Sequence, residues 1–296
     1  MSLAFSIHGL WKSYSDFTLG PLDIELEFGT ILGFIGPNGA GKTTTIHCLA
    51  GLLVPDNAEI EVCGQPQSSE DPCWKQKIGF IGEARPFFEE WSGKQNLDFL
   101  APLYRIWDKD LINGLVERLD LDLMKPVQDL SKGNRVKLAL TAALAHRPRL
   151  LLFDEPTEGL DPVVRIEALN ILREYMEEEP DRAVFYATHV LSDITRLVDE
   201  LVFIENGKVS QRERVDQLID QWRQLFFTYD GGLGEIAGVR EYRSEGSDHR
   251  VMTSDHEATL EQLAELGVED IHTAHLGIDE IAVLILKGEQ GGSDHV

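Results

Sequence analysis

Nine residues constrain this chain more than any others: Gly36-Pro37-Asn38-Gly39-Ala40-Gly41-Lys42-Thr43-Thr44. They fit G-x-x-x-x-G-K-[ST], a pattern that carries meaning only where a strand feeds a helix through a glycine-rich turn. Both flanks qualify. Ile31-Leu32-Gly33-Phe34-Ile35 is a short apolar run suited to a buried parallel strand, and from Thr44 onward Ile46, Leu49, Ala50 and Leu53 fall at helical spacing. Glycines at 36, 39 and 41 let the backbone turn tightly, so consecutive N–H groups and the positive end of the helix can face a polyphosphate. Lys42 then reaches the outer phosphates, and the Thr43 hydroxyl is placed to hold Mg²⁺.

Charge and composition narrow the class further. With 51 acidic against 27 basic residues the net charge is −24, which argues against nucleic acid as partner, since that affinity rests on clustered Lys and Arg. The longest apolar candidate for a membrane span, Ile281 to Leu286, is far too short to cross a bilayer, and no charged-then-apolar leader opens the chain, so a cytosolic protein is expected. Cys48, Cys63 and Cys73 form an odd set without C-x-x-C spacing, which points to a reducing compartment. His272 and His275 could share a helix face as metal ligands; without Cys or carboxylates at ligand spacing, ordinary surface histidines are the favoured reading.

The 296 residues suggest two domains. Leu3 to Leu10 and Asp23 to Phe28 alternate as half-buried strands of an antiparallel sheet, and Glu59 to Val62 and Ile78 to Ile81 are further strands. From Arg85 to about Arg147 the pattern is helical, through Asn96 to Ile106, Leu111 to Leu119 and Val136 to Ala145, so a helical subdomain is inserted in an α/β core. Leu150 to Phe153 is an apolar strand ending in Asp154-Glu155-Pro156. A helix from Pro162 to Glu178, a strand at Val184 to Ala187, a helix from Val190 to Val198 and a hairpin around Asn206-Gly207 follow. Beyond residue 221 the texture changes to short strands (Leu225 to Tyr229, Val239 to Arg243, Arg250 to Thr253) and an amphipathic helix, Glu257 to Leu266. With 15 acidic and 5 basic residues, this stretch reads as an acidic α+β extension, 222–296, behind a domain spanning 1–221.

Asp154 ends its strand where a carboxylate can hold the Mg²⁺ bridging nucleotide phosphates, and Glu155 is placed to polarise an attacking water. Around these residues the chain resembles the nucleotide-binding subunit of ATP-binding-cassette (ABC) transporters, over roughly residues 3 to 220. Besides Gly36 to Thr43 and Leu150 to Glu155, the resemblance rests on Leu130-Ser131-Lys132-Gly133-Asn134, which looks like the family signature LSGGQ, with Ser131 and Gly133 retained and Lys132 and Asn134 replacing Gly and Gln. Gly159-Leu160-Asp161 resembles the family's D-loop, Ala187-Thr188-His189 its switch histidine, and Tyr14 stands where the family stacks an aromatic on adenine.

The resemblance implies an ATPase with ATP and Mg²⁺ as ligands. Ser131, Gly133 and Asp161 then serve a nucleotide shared with a second ATPase subunit, identical or different, and His189 contacts the γ-phosphate and orients water with Glu155. It also implies a transmembrane permease as partner, with this chain peripheral at the inner face of the membrane, and an exporter type. Ile81-Gly82-Glu83 puts Glu where the family usually has a Gln that senses Mg²⁺ and the partner, so Glu83 would act through the metal. Phe87, Phe88 and Trp91 beside it are either core aromatics or a groove for a partner's helix. The rival reading is a soluble ABC ATPase acting on ribosomes or DNA; a single cassette without a coiled-coil insertion, and the acidity, argue against it.

Overall fold

Alternating and continuous apolar runs fold differently here, and the difference builds two sheets. The computed structural model describes residues 2–67, 72–82, 87–157, 160–191, 193, 197–234 and 236–290. Glu83 and Gly159 lie outside the described residues, as does much of the helix expected over 190–198, of which Leu191, Asp193 and Leu197 are described and helical. The chain forms two units, one from the residues up to Val198 with Val202–Arg212, the other from Asp199–Leu201 and residues 213 onward.

In the first unit, β1 (Leu3–Ser13) and β2 (Thr18–Glu27) pair antiparallel, and β4 (Asn57–Val62) and β5 (Gln65–Pro66) complete a sheet of order β2-β1-β4-β5. Leu22, Ile24 and Leu26 point inward from β2 while Asp23, Glu25 and Glu27 are exposed, as alternation requires. By contrast β3 (Ile31–Ile35), β7 (Leu150–Asp154) and β8 (Ala183–Thr188) are buried at every position, the mark of strands covered on both faces. With β6 (Ile78–Ile81), β9 (Glu200–Glu205) and β10 (Lys208–Arg214) they form a sheet of order β10-β9-β3-β8-β7-β6, parallel from β3 to β6. Asn206 and Gly207, both at positive φ, close the hairpin between β9 and β10. Phe34 and Phe185 lie in the core shared with Phe5 of the antiparallel sheet.

α1 (Lys42–Leu49) packs on β7 and β8. It stops before Leu53, short of the sequence expectation, because Gly51 N–H and Leu52 N–H return to Cys48 O and His47 O and close the last turn. The helical subdomain holds α2 (Gly93–Leu100), α3 (Lys109–Arg118) and α4 (Lys132–Leu144). α2 ends well before Ile106, since Pro102 lets only a short 3₁₀ turn, Ala101–Leu103, follow. α4 begins four residues ahead of its apolar pattern because Ser131 caps it, its Oγ accepting from Asn134 N–H at 3.2 Å. α5 (Pro162–Glu178) starts at its proline behind the Asp161 cap.

The second unit opens with α6 (Val215–Gln221) and forms an antiparallel sheet of β11 (Arg223–Thr228), β12 (Val239–Glu245), β13 (Asp248–Thr253) and β14 (His272–His275), in the order β12-β13-β11-β14. Leu225, Phe227 and Val251 bury against Leu263 of α7 (His256–Glu265). α8 (Ile278–Gln290) absorbs the apolar run around Ile281. His272 and His275 therefore lie on a strand and not on a helix; three residues apart, they point to opposite faces and cannot converge on one ion. No group of three His, Cys, Asp or Glu side chains suited to a metal occurs among the described residues. Nor, among them, is any helix long and apolar enough to cross a membrane.

Candidate active site

The turn between β3 and α1 is shaped from behind. A Cβ on Gly36 would stand 2.1 Å from the carbonyl oxygen of Ile204 on β9, so only glycine lets the loop lie against that strand. Gly207 adds a second brace, its N–H donating to Ala40 O at 3.1 Å while its own carbonyl accepts from Gly20 N–H at 2.7 Å. Pro37, Asn38 and Gly39 form the exposed rim, and Gly36, Ala40 and Gly41 lie buried at the back. Gly41, at φ 112°, caps α1 without a side-chain acceptor, which leaves the N–H groups of the first helical turn free for an anion. A Cβ on Gly39 would meet nothing within 4 Å, so the rim opens onto space that a ligand can fill.

That space is a cavity of about 470 Å³ lined by Phe17, Asn38, Gly39, Gly41, Lys42, Thr43, Thr44, Glu155 and His189, a size suited to a small organic ligand. Lys42 is buried and donates from Nζ to Gly36 O at 2.8 Å and Pro37 O at 3.2 Å. Its ammonium also lies 3.5 Å from Glu155 Oε1. Thr43 Oγ1 donates to Asp154 Oδ1 at 3.1 Å, joining helix start to strand end. A hydroxyl and a carboxylate are both hard oxygen donors, so this pair at the mouth of an anion cradle fits a hard divalent cation such as Mg²⁺.

Glu155 adopts φ 51°, in the left-handed region that costs a residue with a Cβ about 1 kcal/mol or more. Its N–H donates to Ala187 O at 3.0 Å, which ties the turn to β8. Glu155 Oε2 accepts from Thr188 Oγ1 at 3.1 Å and from His189 N–H at 3.2 Å. The other oxygen, Oε1, is buried without a hydrogen bond, although His189 Nδ1 lies 2.9 Å away. The contact is close but makes no hydrogen bond, and the Lys42 ammonium also lies against this oxygen.

The remaining expected residues stand elsewhere. Tyr14 is exposed and tilted against Phe17, ring centroids 6.4 Å apart, and it is Phe17 that lines the cavity. Ser131 and Gly133 open α4, and none of Leu130 to Asn134 is among the described lining residues. Asp161 Oδ1 accepts from Val163 N–H and Val164 N–H, both at 3.1 Å, at the start of α5. Sequence reasoning missed Phe17, a lone aromatic in a turn-rich segment. Thr188, visible in the sequence only as part of a motif, holds Glu155 through its side chain.

Comparison with known proteins gives one answer. The family model described as "ABC transporter" matches residues 19–158. The bacitracin transport ATP-binding protein BcrA of Bacillus licheniformis is 35% identical over 221 residues, 74% of this chain and 72% of its own length. The Nod factor export ATP-binding protein I of Sinorhizobium fredii is 30% identical over 245 residues, 80% of this chain and 71% of its own. Among solved structures, an ATP-binding subunit of an ABC transporter superposes with a TM-score of 0.66 at 25% identity, covering 73% of this chain and 92% of that one. A glycine-rich anion cradle, the Thr43–Asp154 pair beside it and relatives of this extent agree: the chain belongs to the ABC transporter family, as an ATP-binding and ATP-hydrolysing subunit.

Proposed function

We propose that this chain is the Mg²⁺-dependent motor subunit of an exporter, closing as a dimer on two ATP molecules and driving a separate transmembrane permease. The observation that carries the reading is the convergence of Lys42, Glu155 and His189 on one cavity beside the Thr43–Asp154 pair. In this reading Lys42 and the N–H groups of Gly39 to Thr44 bind the phosphates. Thr43 and Asp154 would hold Mg²⁺, which would offset the phosphate charge, and Glu83 would act through that metal. Glu155 takes the proton of the attacking water through its carboxylate, and His189 orients that water. Phe17, with Tyr14 beside it, supports the base.

The second copy follows from what the cavity lacks. Ser131 and Gly133 begin a helix whose N-terminus is an anion site, yet they do not line this chain's own cavity. They are assigned to the nucleotide of a second ATPase subunit, with Asp161 at the shared surface. Export is favoured because the Nod factor relative is named for it.

For the permease contact we assign an exposed aromatic cluster. Phe88 and Trp91 lie 4.4 Å apart, and Phe99 packs edge-on to both at 5.3 and 5.7 Å. All three are exposed, whereas Phe87 is buried. Buried Asn96 holds the platform, Oδ1 accepting from Phe88 N–H at 2.9 Å and Nδ2 donating to Phe88 O and Ser92 O. Solvent-facing aromatics clamped by a buried amide suit an apolar helix of a partner. The acidic residues 222–296 are assigned as an extension outside nucleotide binding. Light scattering tests the motor reading: Glu155→Gln with ATP and Mg²⁺ should double in mass from 33.2 kDa, and a protein that stays monomeric overturns it.

A further inference from the structure

Outside the cavity, one buried carboxylate ties the two segments that carry Glu155 and His189 to the start of α5. Asp193 is 1% exposed. Its Oδ2 accepts from the Tyr186 hydroxyl at 2.8 Å and from the Thr157 hydroxyl, and its Oδ1 accepts from Arg165 Nε. The Thr157 and Tyr186 hydroxyls are themselves 3.2 Å apart. Tyr186 is 1% exposed and packs edge-on to Phe153 of β7, ring centroids 6.0 Å apart. Burial, reinforced by the adjacent Asp193 charge, pushes its phenol well above the ordinary range, so it remains a donor.

The chain positions of these partners give the cluster its meaning. Thr157 follows Glu155 by two residues. Arg165 lies in the first turns of α5, just behind the Asp161 cap. Tyr186 precedes His189 by three residues on β8, and Asp193 follows His189 by four. At its near end the histidine segment is already fastened to Glu155, through Thr188 Oγ1 and His189 N–H. Asp193 fastens its far end, and does so to the chain that leads from Glu155 toward Asp161. Buried ionic clusters are often replaceable by apolar residues without loss of stability, so stability alone does not account for this one.

We infer that Asp193 is a positioning residue for ATP hydrolysis: it holds the His189 segment, the Glu155 turn and the start of α5 in one register. A load on the Asp161 loop then reaches His189 and Glu155 together. The inference rests on the roles proposed above for Glu155 and His189. Asp193 is buried and is not among the described residues that line the cavity, so its loss should spare binding and slow turnover. Misplacing a reacting group by about 1 Å costs roughly 100-fold in rate.

The test uses the full chain and measures kcat, affinity for a non-hydrolysable ATP analogue and the melting temperature. Asp193→Asn keeps the shape and removes the charge facing Arg165. It should lower kcat by about 10- to 100-fold, with analogue affinity within about twofold of wild type, and Arg165→Gln added to it should cost little more because both act through one contact. Wild-type kcat in folded Asp193→Asn overturns the inference, as does a parallel fall of kcat, affinity and melting temperature. Should Asp193→Asn fail to fold, Tyr186→Phe decides: it deletes one donor to Asp193 without opening a cavity, and unchanged kcat there overturns the inference equally. Glu155→Gln in the same assay separates the two readings. Wild-type turnover in that variant overturns the proposed function, whereas its loss beside wild-type turnover in Asp193→Asn overturns the positioning role alone.

Discussion

Glu155→Gln should tighten nucleotide binding while nearly stopping hydrolysis, and the structure sets the scale of both effects. The Glu155 carboxylate lies 3.5 Å from the Lys42 ammonium, with side-chain exposures of 10% and 6%. At that separation the attraction is about 1 kcal/mol at a dielectric constant near 80 and about 5 kcal/mol near 20. Phosphate entering the cradle must share Lys42 with this carboxylate, and the two anions repel each other. The amide removes both terms and keeps the shape. Because desolvation offsets much of a buried pair's attraction, the lower part of the range applies, about 1.4 kcal/mol, or a tenfold lower Kd. Gln accepts no proton from water, so turnover should fall by about 10²- to 10⁴-fold. Calorimetry with a non-hydrolysable ATP analogue reads the first effect and phosphate release the second. Unchanged or weaker affinity would show that Glu155 does not compete for Lys42, and turnover near wild type would remove it as the base.

Lys42→Ala should reduce ATP affinity below detection in the same calorimeter, since the described cavity lining then holds no cationic side chain other than a protonatable His189. Asp108→Ala removes the α3 cap, a bond from Leu111 N–H at 2.9 Å, and both contacts from Arg147. It should cost about 1–2 kcal/mol, visible as a melting point lower by a few degrees. The Leu111 N–H and then Arg147 hold the Asp108 carboxyl below its usual range. Its contribution is therefore complete above the unfolded value, near pH 4, and is lost as pH falls through the folded one, so the gap between variant and wild type should close in acid. Removing residues 222–296 should leave ATP affinity unchanged; lost binding in a shortened chain with a normal melting transition would count against an independent extension.

What the sequence made legible follows the range of the interactions. β3, β7 and β8 were readable because full burial leaves uninterrupted apolar runs, and Pro162 with Asp161 marked the start of α5 because capping is local. Gly36 to Thr44, Asp154 and Glu155 could be named before the fold because each sits at the end of such an element, whereas His189 was legible only through the family resemblance. Apolar periodicity alone marks α4 only from Val136, because the Ser131 cap that fixes its start is polar. β14 went unread because His272 to His275 has no alternation, and its pairing with β11 is a tertiary fact. Phe17 and Asp193 escaped for the same reason: an aromatic in a turn and an acid four residues past a histidine look ordinary until distant segments close over them.

The rear of the phosphate cradle has a consequence for how this protein can be cut or compared. Ile204 and Gly207, which press on Gly36 and hold Ala40, lie well beyond residue 158, where the family match ends. A fragment trimmed to that match would carry Lys42, Asp154 and Glu155 and yet lack the two residues that brace Gly36 and Ala40. The recognisable stretch is thus not the autonomous one, and an insertion at Asn206-Gly207 should disturb nucleotide binding as surely as one within the glycine-rich turn itself.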